Sequence, residues 1–484
     1  MDAFAPAGPP PQGEWFGHPK GLYILFFTEM WERFSYYGMR TLLVLYMLHY
    51  LLPGAQGDWA NVTSHGAHVA GQGAMHVVGY GTMYALLAWF FRHVDIPMSN
   101  QAMSSQIYGL YTAFVYFTPF FGGILADRLF GQRKTVYVGG VLMAIGHFLM
   151  AVPSLFFPAL LFLIVGNGCF KPNISTQVGL LYPEGDHRRD SAFTIFYMGI
   201  NLGAIFSPLV CGTLGQLVGW HWGFGAAGVG MLAGLAIYHF GRHLLPPDEL
   251  TQKAAAEHVS VEEEQKKPLT SAEWKGIWAL VFLCAINVVF WAVYEQQGNT
   301  MQLWADQNTR WVLLGLHMPS SWFQMYNPIF ICLFAPVLDR FWAWQSRRGR
   351  EPSSVTKMGI GCVLLGVSFL IMVAAARVVA PDQKGSPFWL ISTVFLLTMG
   401  ELYLSPIGLS LVTKISPARM VSMLMGMWFL SSFFGNYLAG FIGGYYNVMT
   451  KEAFFTLLTA LGVGSGLIFF AANRPLRKSI GREI

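Results

Sequence analysis

The fold of this chain turns on one stretch, Glu29-Met30-Trp31-Glu32-Arg33-Phe34-Ser35-Tyr36-Tyr37-Gly38-Met39-Arg40, which sets four charges inside an otherwise apolar run over 22–51. A run of that length suits a membrane-spanning helix, for which about 20 apolar residues suffice. Each charge inside such a helix costs about 2.5–3.5 kcal/mol on an insertion scale, so it must pair or face water. Helical spacing puts Glu29, Arg33, Tyr36 and Arg40 on one stripe, because residues three, four and seven apart share a face. A stripe of that content cannot face lipid. It must line the interior of a bundle, and further spanning helices are needed to enclose it.

The rest of the chain supplies them. Of 484 residues 54% are hydrophobic and only 11% charged, against about a quarter charged in soluble domains, and mean hydropathy is +0.45. A cytosolic enzyme, a nucleic-acid binder and a disordered chain are excluded. Charge-free runs cover 96–126, 135–170, 191–241, 311–338, 420–450 and 453–473. Adding runs with isolated charges predicts twelve spans, near 22–51, 104–126, 134–152, 158–181, 191–217, 222–243, 275–298, 320–342, 357–379, 388–412, 421–446 and 453–472. The runs lack the period-2 alternation of barrel strands. If the N-terminus is cytoplasmic, 22 of the 30 Lys and Arg fall on the cytoplasmic side and only Arg92, Arg310, Arg377, Lys384 and Lys451 on the other. The positive-inside rule then puts both termini in the cytoplasm. The net charge of +5 is thereby accounted for without nucleic acid. The first 20 residues are Pro/Gly-rich without an apolar core, unlike a cleavable signal peptide. Cys169, Cys211, Cys284, Cys332 and Cys362 lie in apolar spans at spacings that suit neither metal nor disulfide, and read as small core residues.

The second span ends in Asp127-Arg128, followed by Arg133-Lys134, and the eighth ends in Asp339-Arg340, followed by Arg347-Arg348. This repeat resembles the signature loop of the major facilitator superfamily, where Asp127, Arg128, Asp339 and Arg340 would hold one gate state. The expected fold is therefore an all-α polytopic membrane protein of the major facilitator type, with 12 transmembrane helices in two six-helix halves. The halves are placed at 21–243 and 275–473, joined by a cytoplasmic linker 244–274, with cytoplasmic tails 1–20 and 474–484. Internally duplicated transporters rock such halves about a midplane site. A periplasmic insertion, about 53–98, follows the first span. Its charge-free part, 59–91, contains His65, His68 and His76 and reads as a helix or hairpin, a pH or metal sensor being the sharper alternative.

Seven charges sit well inside predicted spans: Glu29, Glu32, Arg33 and Arg40 in the first, Lys171 in the fourth, Glu295 in the seventh and Glu401 in the tenth. Arg40, Lys171, Glu295 and Glu401 occupy four helices and can meet only in a central cavity. Four carboxylates face three cations, so one carboxylate lacks a full counter-charge, and burial favours its protonated form. A cavity that gains one proton while exchanging ion-pair partners describes a proton-coupled carrier. A static set of structural ion pairs is the plainer alternative, above all for Glu32.

Six motifs then fall in order. Glu29-Met-Trp-Glu32-Arg33-Phe-Ser-Tyr36-Tyr37-Gly38 resembles the ExxERFxYYG motif of the proton-dependent oligopeptide transporter family. So do Gly-Asn-Gly-Cys-Phe-Lys171-Pro-Asn, Phe196-Tyr197-Met-Gly-Ile-Asn201-Leu-Gly, Tyr294-Glu295-Gln-Gln-Gly, Phe323-Gln-Met-Tyr-Asn327-Pro and Gly400-Glu401-Leu-Tyr-Leu-Ser405-Pro. The resemblance implies a symporter for di- and tripeptides, not an enzyme. It would use protons as coupling ion and no cofactor or metal, working as a monomer in lipid, in a bacterial inner membrane. It also implies that Arg40 and Lys171 face the peptide carboxylate, with Tyr36, Tyr116 and Asn201 nearby, while Glu401, Asn327 and Ser405 receive the amino end. Tyr37 and Tyr197 would line the pocket, and Trp291, Trp428 and Phe429 would shape side-chain subpockets, with ordinary helix packing as the alternative for these three. Glu295 would accept the proton, and Glu29, Glu32 and Arg33 would couple protonation to Lys171. Three features depart from the family pattern. Gly241–Lys275 is too short for two extra linker helices, the second-span His of animal members aligns with Gly109, and 59–91 has no counterpart. A carrier of nitrate or another small anion is the alternative within transport, and Glu401 argues for an amine instead. A membrane hydrolase would need a nucleophile–base pair or metal cluster that the spans do not offer.

Overall fold

The computed structural model describes residues 13–56, 63–64, 67–68, 75–183, 186–246, 269–313, 315–380, 383–417 and 420–480. A short antiparallel hairpin, β1 (Glu14–Trp15) and β2 (His18–Pro19), leads into α1 (Lys20–Tyr46), which continues as a π-helical turn over Met47–Leu51. The helices that follow are α2 (Tyr80–His93), α3 (Asn100–Leu125), α4 (Gln132–Leu149), α5 (Phe156–Leu180), α6 (Arg188–Ser207) and α7 (Trp220–Gly241). After 247–268, which lie outside the described residues with most of the expected linker, come α8 (Ser271–Tyr294), α9 (Thr300–Gln307), α10 (Tyr326–Arg347), α11 (Ser354–Val378), α12 (Phe388–Ile415), α13 (Val421–Gly443) and α14 (Lys451–Ile480).

Among the described residues nine stretches are long and apolar enough to cross a membrane, those built on α3, α5, α6, α7, α8 with α9, α10, α11, α12 and α14. Three more helices, α1, α4 and α13, of 27, 18 and 23 residues, occupy the remaining expected positions. The charges of α1 are what set it apart from an ordinary apolar span. The 191–241 run breaks at Gly219, as its length required. Within the insertion, α2 has 14 residues, too few to span a hydrocarbon core of about 30 Å at 1.5 Å per residue. His65 lies outside the described residues.

The chain falls into two compact units, 1–42 with 117–255 and 43–116 with 256–484, so the division cuts α1 and α3. In lipid, helices gain little from apolar contact with one another and associate through small residues and side-chain hydrogen bonds. In the first unit the tightest approach joins α3 and α5. A Cβ added at Gly122 would lie 1.9 Å from the Gly168 oxygen, and Thr118 Oγ1 donates to the Ile164 oxygen at 2.9 Å. Pro172 lacks the N–H that would continue the ladder of α5. Beside it, Asn173 Nδ2 donates to the oxygens of Cys169 (2.7 Å) and Gly122 (3.2 Å), which ties α5 to α3.

In the second unit the first part of α3 packs on α13. A Cβ at Gly109 would sit 2.5 Å from Gly440 Cα, so the contact leaves no room for a side chain there. Buried amides and hydroxyls stitch this region. Gln101 donates to the Gly443 oxygen at 2.8 Å, Ser105 to Asn299 Oδ1 at 2.8 Å, Gln296 to the Ala439 oxygen at 2.9 Å and Asn287 to Ser431 Oγ at 2.7 Å.

Adjacent glycines test the packing. Gly122→Ala drives a methyl into the α5 backbone and should cost about 1–3 kcal/mol as an overpacked core position. Gly123→Ala meets nothing within 4 Å and should be neutral or slightly stabilising, since helical Gly costs about 0.5–1 kcal/mol relative to Ala. Melting of the two purified variants in detergent distinguishes them, with a clear drop for Gly122→Ala alone.

Candidate functional site

In the first unit the charges of α1 form a buried ion triad. Arg33 Nε lies 3.1 Å from Glu29 Oε1 and also pairs with Glu32. All three residues are at most 3% exposed. Asn167 on α5 donates to Glu32 Oε1 at 3.4 Å, and the Arg33 guanidinium lies 5.2 Å from the centre of the Tyr36 ring. Two carboxylates against one guanidinium leave the triad short of one positive charge. Lys171, on α5 four residues beyond Asn167, acts electrostatically on Glu29 and Glu32 and feels Arg33 and Arg40. The sequence motif explains how α1 comes so close to α6: a Cβ at Gly38 would meet Cys211 Sγ at 2.5 Å. Tyr36 is buried against Tyr37, while Tyr37, Arg40 and Lys171 are half-buried. On α6, Asn201 Nδ2 turns back to the Tyr197 oxygen at 3.0 Å, and Tyr197 is 48% exposed.

In the second unit the anionic groups are held differently. Glu401 Oε2 accepts from the Tyr294 hydroxyl at 2.7 Å and from Asn327 Nδ2 at 3.0 Å. Asn327 also donates to Thr398 Oγ1 at 2.9 Å. These partners are neutral donors, so they orient the carboxylate without cancelling its charge. Glu295 begins the 3-10 turn Glu295–Gln297 that separates α8 from α9, is 1% exposed, and its charge acts on Glu401. Interrupted helices of this kind are tolerated at membrane depth where protein or a cavity receives the freed backbone groups.

Other expected site residues sit as follows. Asn327, Ser405, Trp291 and Tyr116 are half-buried. Trp428 is 4% exposed, and its ring fills the space a side chain at Gly408 would need, 2.2 Å from that Cβ position. Trp291 packs against Tyr294 and beneath Gly435, and Phe429 is 48% exposed. Asp127, Arg128, Asp339 and Arg340 are exposed, the first two in the turn that follows α3 and the last two inside α10. Among the described residues no three His, Cys, Asp or Glu side chains gather as metal ligands would.

Counted by unit, the seven charges separate. The first unit holds three cations and two carboxylates, net +1, and the second holds two carboxylates, net −2. Asn167, Tyr294 and Thr398 were not singled out from the sequence. Asn167 could have been found by its i,i+4 relation to Lys171, and Tyr294 by its place beside Glu295.

Similarity to known proteins agrees with this chemistry. The sequence profile of the POT family matches residues 133–261 and 247–458. The chain is 32% identical to the di-/tripeptide transporter of Lactococcus lactis subsp. cremoris, over 96% of this chain and 97% of that one. It is 33% identical to the peptide transporter YePEPT of Yersinia enterocolitica, over 89% and 88%. Its fold superposes on a crystal structure of a peptide transporter POT in complex with sulfate with a TM-score of 0.76, at 30% identity and 97% coverage of both chains. With its buried ion triad and its spanning helices, the chain belongs to the POT family of membrane transporters.

Proposed function

We propose that the chain is a proton-coupled symporter that imports di- and tripeptides by alternating access through a central polar cavity. The observation that carries this reading is the separation of charge, a net cationic set on α1 and α5 and a net anionic set on α8 and α12. A zwitterion needs two such poles, and recognition of its termini alone leaves the side chains free to vary. Arg40 and Lys171 bind the peptide carboxylate, with Tyr36, Tyr37, Tyr116, Tyr197 and Asn201 around it. Glu401, oriented by Tyr294 and Asn327, binds the amino end together with Ser405. Trp291, Trp428 and Phe429 bound the side-chain space. The names of the two relatives, both peptide transporters, support the substrate class.

Coupling follows from the deficit of the triad. Glu29 and Glu32 share Arg33 and rely on Lys171 for the remaining positive charge. A peptide carboxylate draws Lys171 away, and the triad then takes a proton. Glu295 accepts a proton in turn, which frees Arg40 for substrate. The architecture is twelve spans in two six-helix halves, 21–243 and 275–473, with linker 244–274 and both ends in the cytoplasm of a bacterial cell. Asp127, Arg128, Asp339 and Arg340 serve as gate contacts in a monomer that lies in the inner membrane.

Three variants test these roles. Glu295→Gln should abolish uptake driven by an imposed proton gradient in proteoliposomes yet leave counterflow exchange measurable, and full accumulation by this variant contradicts the assignment. Lys171→Ala should remove peptide binding or coupling, whereas unchanged uptake makes Lys171 structural. Glu401→Gln should raise the Kd for dialanine roughly 10–100-fold, as the loss of a charged hydrogen bond of about 1.5–3 kcal/mol does. It should hardly change that for an N-acetylated dipeptide, as calorimetry can show. Competition by nitrate in place of dialanine would favour an anion carrier.

A further inference from the structure

The hairpin before α1 is built at odds with its own sequence. Its two loop residues, Phe16 and Gly17, have φ values of 48° and 78°. Two-residue hairpin loops of this kind favour Asn-Gly or Asp-Gly, because both positions need positive φ. A bulky L residue there is strained. Phe16 is also 94% exposed and Trp15 53%, and their rings lie beside Tyr23, at 6.3 and 5.8 Å between centres.

The conformation is nevertheless braced from several sides. Arg188 Nη1 donates to Glu14 Oε1 at 2.8 Å and to the Gly17 oxygen at 3.1 Å. Its Nη2 donates to Asp186 at 2.8 Å, and these bonds hold the Asp186 carboxyl down at about 2. The Asp186 carboxylate therefore stays ionised at any pH well above that value. His18 Nδ1 lies 2.8 Å from the Tyr182 hydroxyl, and the Tyr23 hydroxyl donates to the Trp15 oxygen at 3.0 Å. Strain of this sort persists only where the surroundings over-determine it, and it clusters at functional positions. Among the described residues, Tyr23 offers this tip an edge contact, which does not account for an aromatic residue in a strained turn.

On the proposed topology α1, which starts at Lys20 immediately after β2, enters the membrane here, and the hairpin then lies at the polar–apolar boundary of the bilayer. The Lys20 ammonium sits 5.6 Å from the centre of the Trp15 ring, and aromatic rings with adjacent cations are the side chains that suit this boundary. We propose that the hairpin is a membrane-interface foot: Trp15 and Phe16 seat in the interfacial layer of the phospholipid leaflet at the start of α1, with Lys20 against the lipid phosphates. The foot fixes the end of the helix that carries the ion triad.

Two measurements on the full chain in nanodiscs of phosphatidylethanolamine and phosphatidylglycerol test this. Photoreactive benzoylphenylalanine at position 16 should give at least about tenfold more lipid adduct than at exposed Arg350, in keeping with burial of a large apolar side chain. Equal lipid adduct at the two positions, or capture of another protein or a second copy instead, overturns the proposal. Phe16→Asn suits positive φ and keeps the turn, so hydrogen exchange over 13–19 reports the membrane contribution. Exchange in nanodiscs should become several-fold faster in the variant. Unchanged or slower exchange means that Arg188 and Tyr182 alone hold the hairpin, and overturns the proposal.

Discussion

The buried pairing of Arg33 with Glu29 and Glu32 is the constraint on which the rest of the structure depends. Taking one ion out of water costs several kcal/mol even after relaxation, and only close partners with good geometry repay it. Three ions on one and a half turns of α1 therefore dictate their surroundings. Asn167 and Lys171 must come from a neighbouring helix, and Gly38 must let α1 approach α6 closely enough to exclude lipid. A triad with one cation too few is stable only while a fourth group supplies charge. In the proposed mechanism that dependence couples the triad to whatever binds Lys171.

The second unit solves a different problem. Glu401 is fixed in orientation by a hydroxyl and an amide. Glu295 lies in a helix break, where backbone irregularity and charge share one protected place. Of the seven charges, the first unit therefore carries a net positive set and the second only Glu295 and Glu401. At Gly109 and Gly440 the absence of side chains lets two helices pack backbone to backbone.

Much of this was legible in the sequence because charge in an apolar run has few permitted explanations. The spacing of Glu29, Arg33, Tyr36 and Arg40 gave the stripe, and the scarcity of other charges pointed to Lys171, Glu295 and Glu401. Neutral partners were not legible in the same way. Asn167, Tyr294 and Thr398 cost little to bury when hydrogen-bonded and so leave no mark on composition or periodicity. Trp428 shows the converse: an aromatic in a spanning helix reads equally as pocket wall or as packing, and only its ring lying over Gly408 reveals the close helix contact. The strain at Phe16 is likewise invisible until backbone angles are known, because Phe-Gly does not announce a turn as Asn-Gly does.

In the proposed mechanism, charge exchange at the triad and at Glu295 ties peptide movement to proton movement. The most direct test is concentrative uptake of labelled dialanine by wild-type protein in proteoliposomes, with an inward proton gradient imposed and then collapsed by a protonophore. Peptide should accumulate above its external concentration while the gradient lasts and fall to simple equilibration once it is gone. Equal accumulation with and without the gradient, or equilibration only in both cases, contradicts the account.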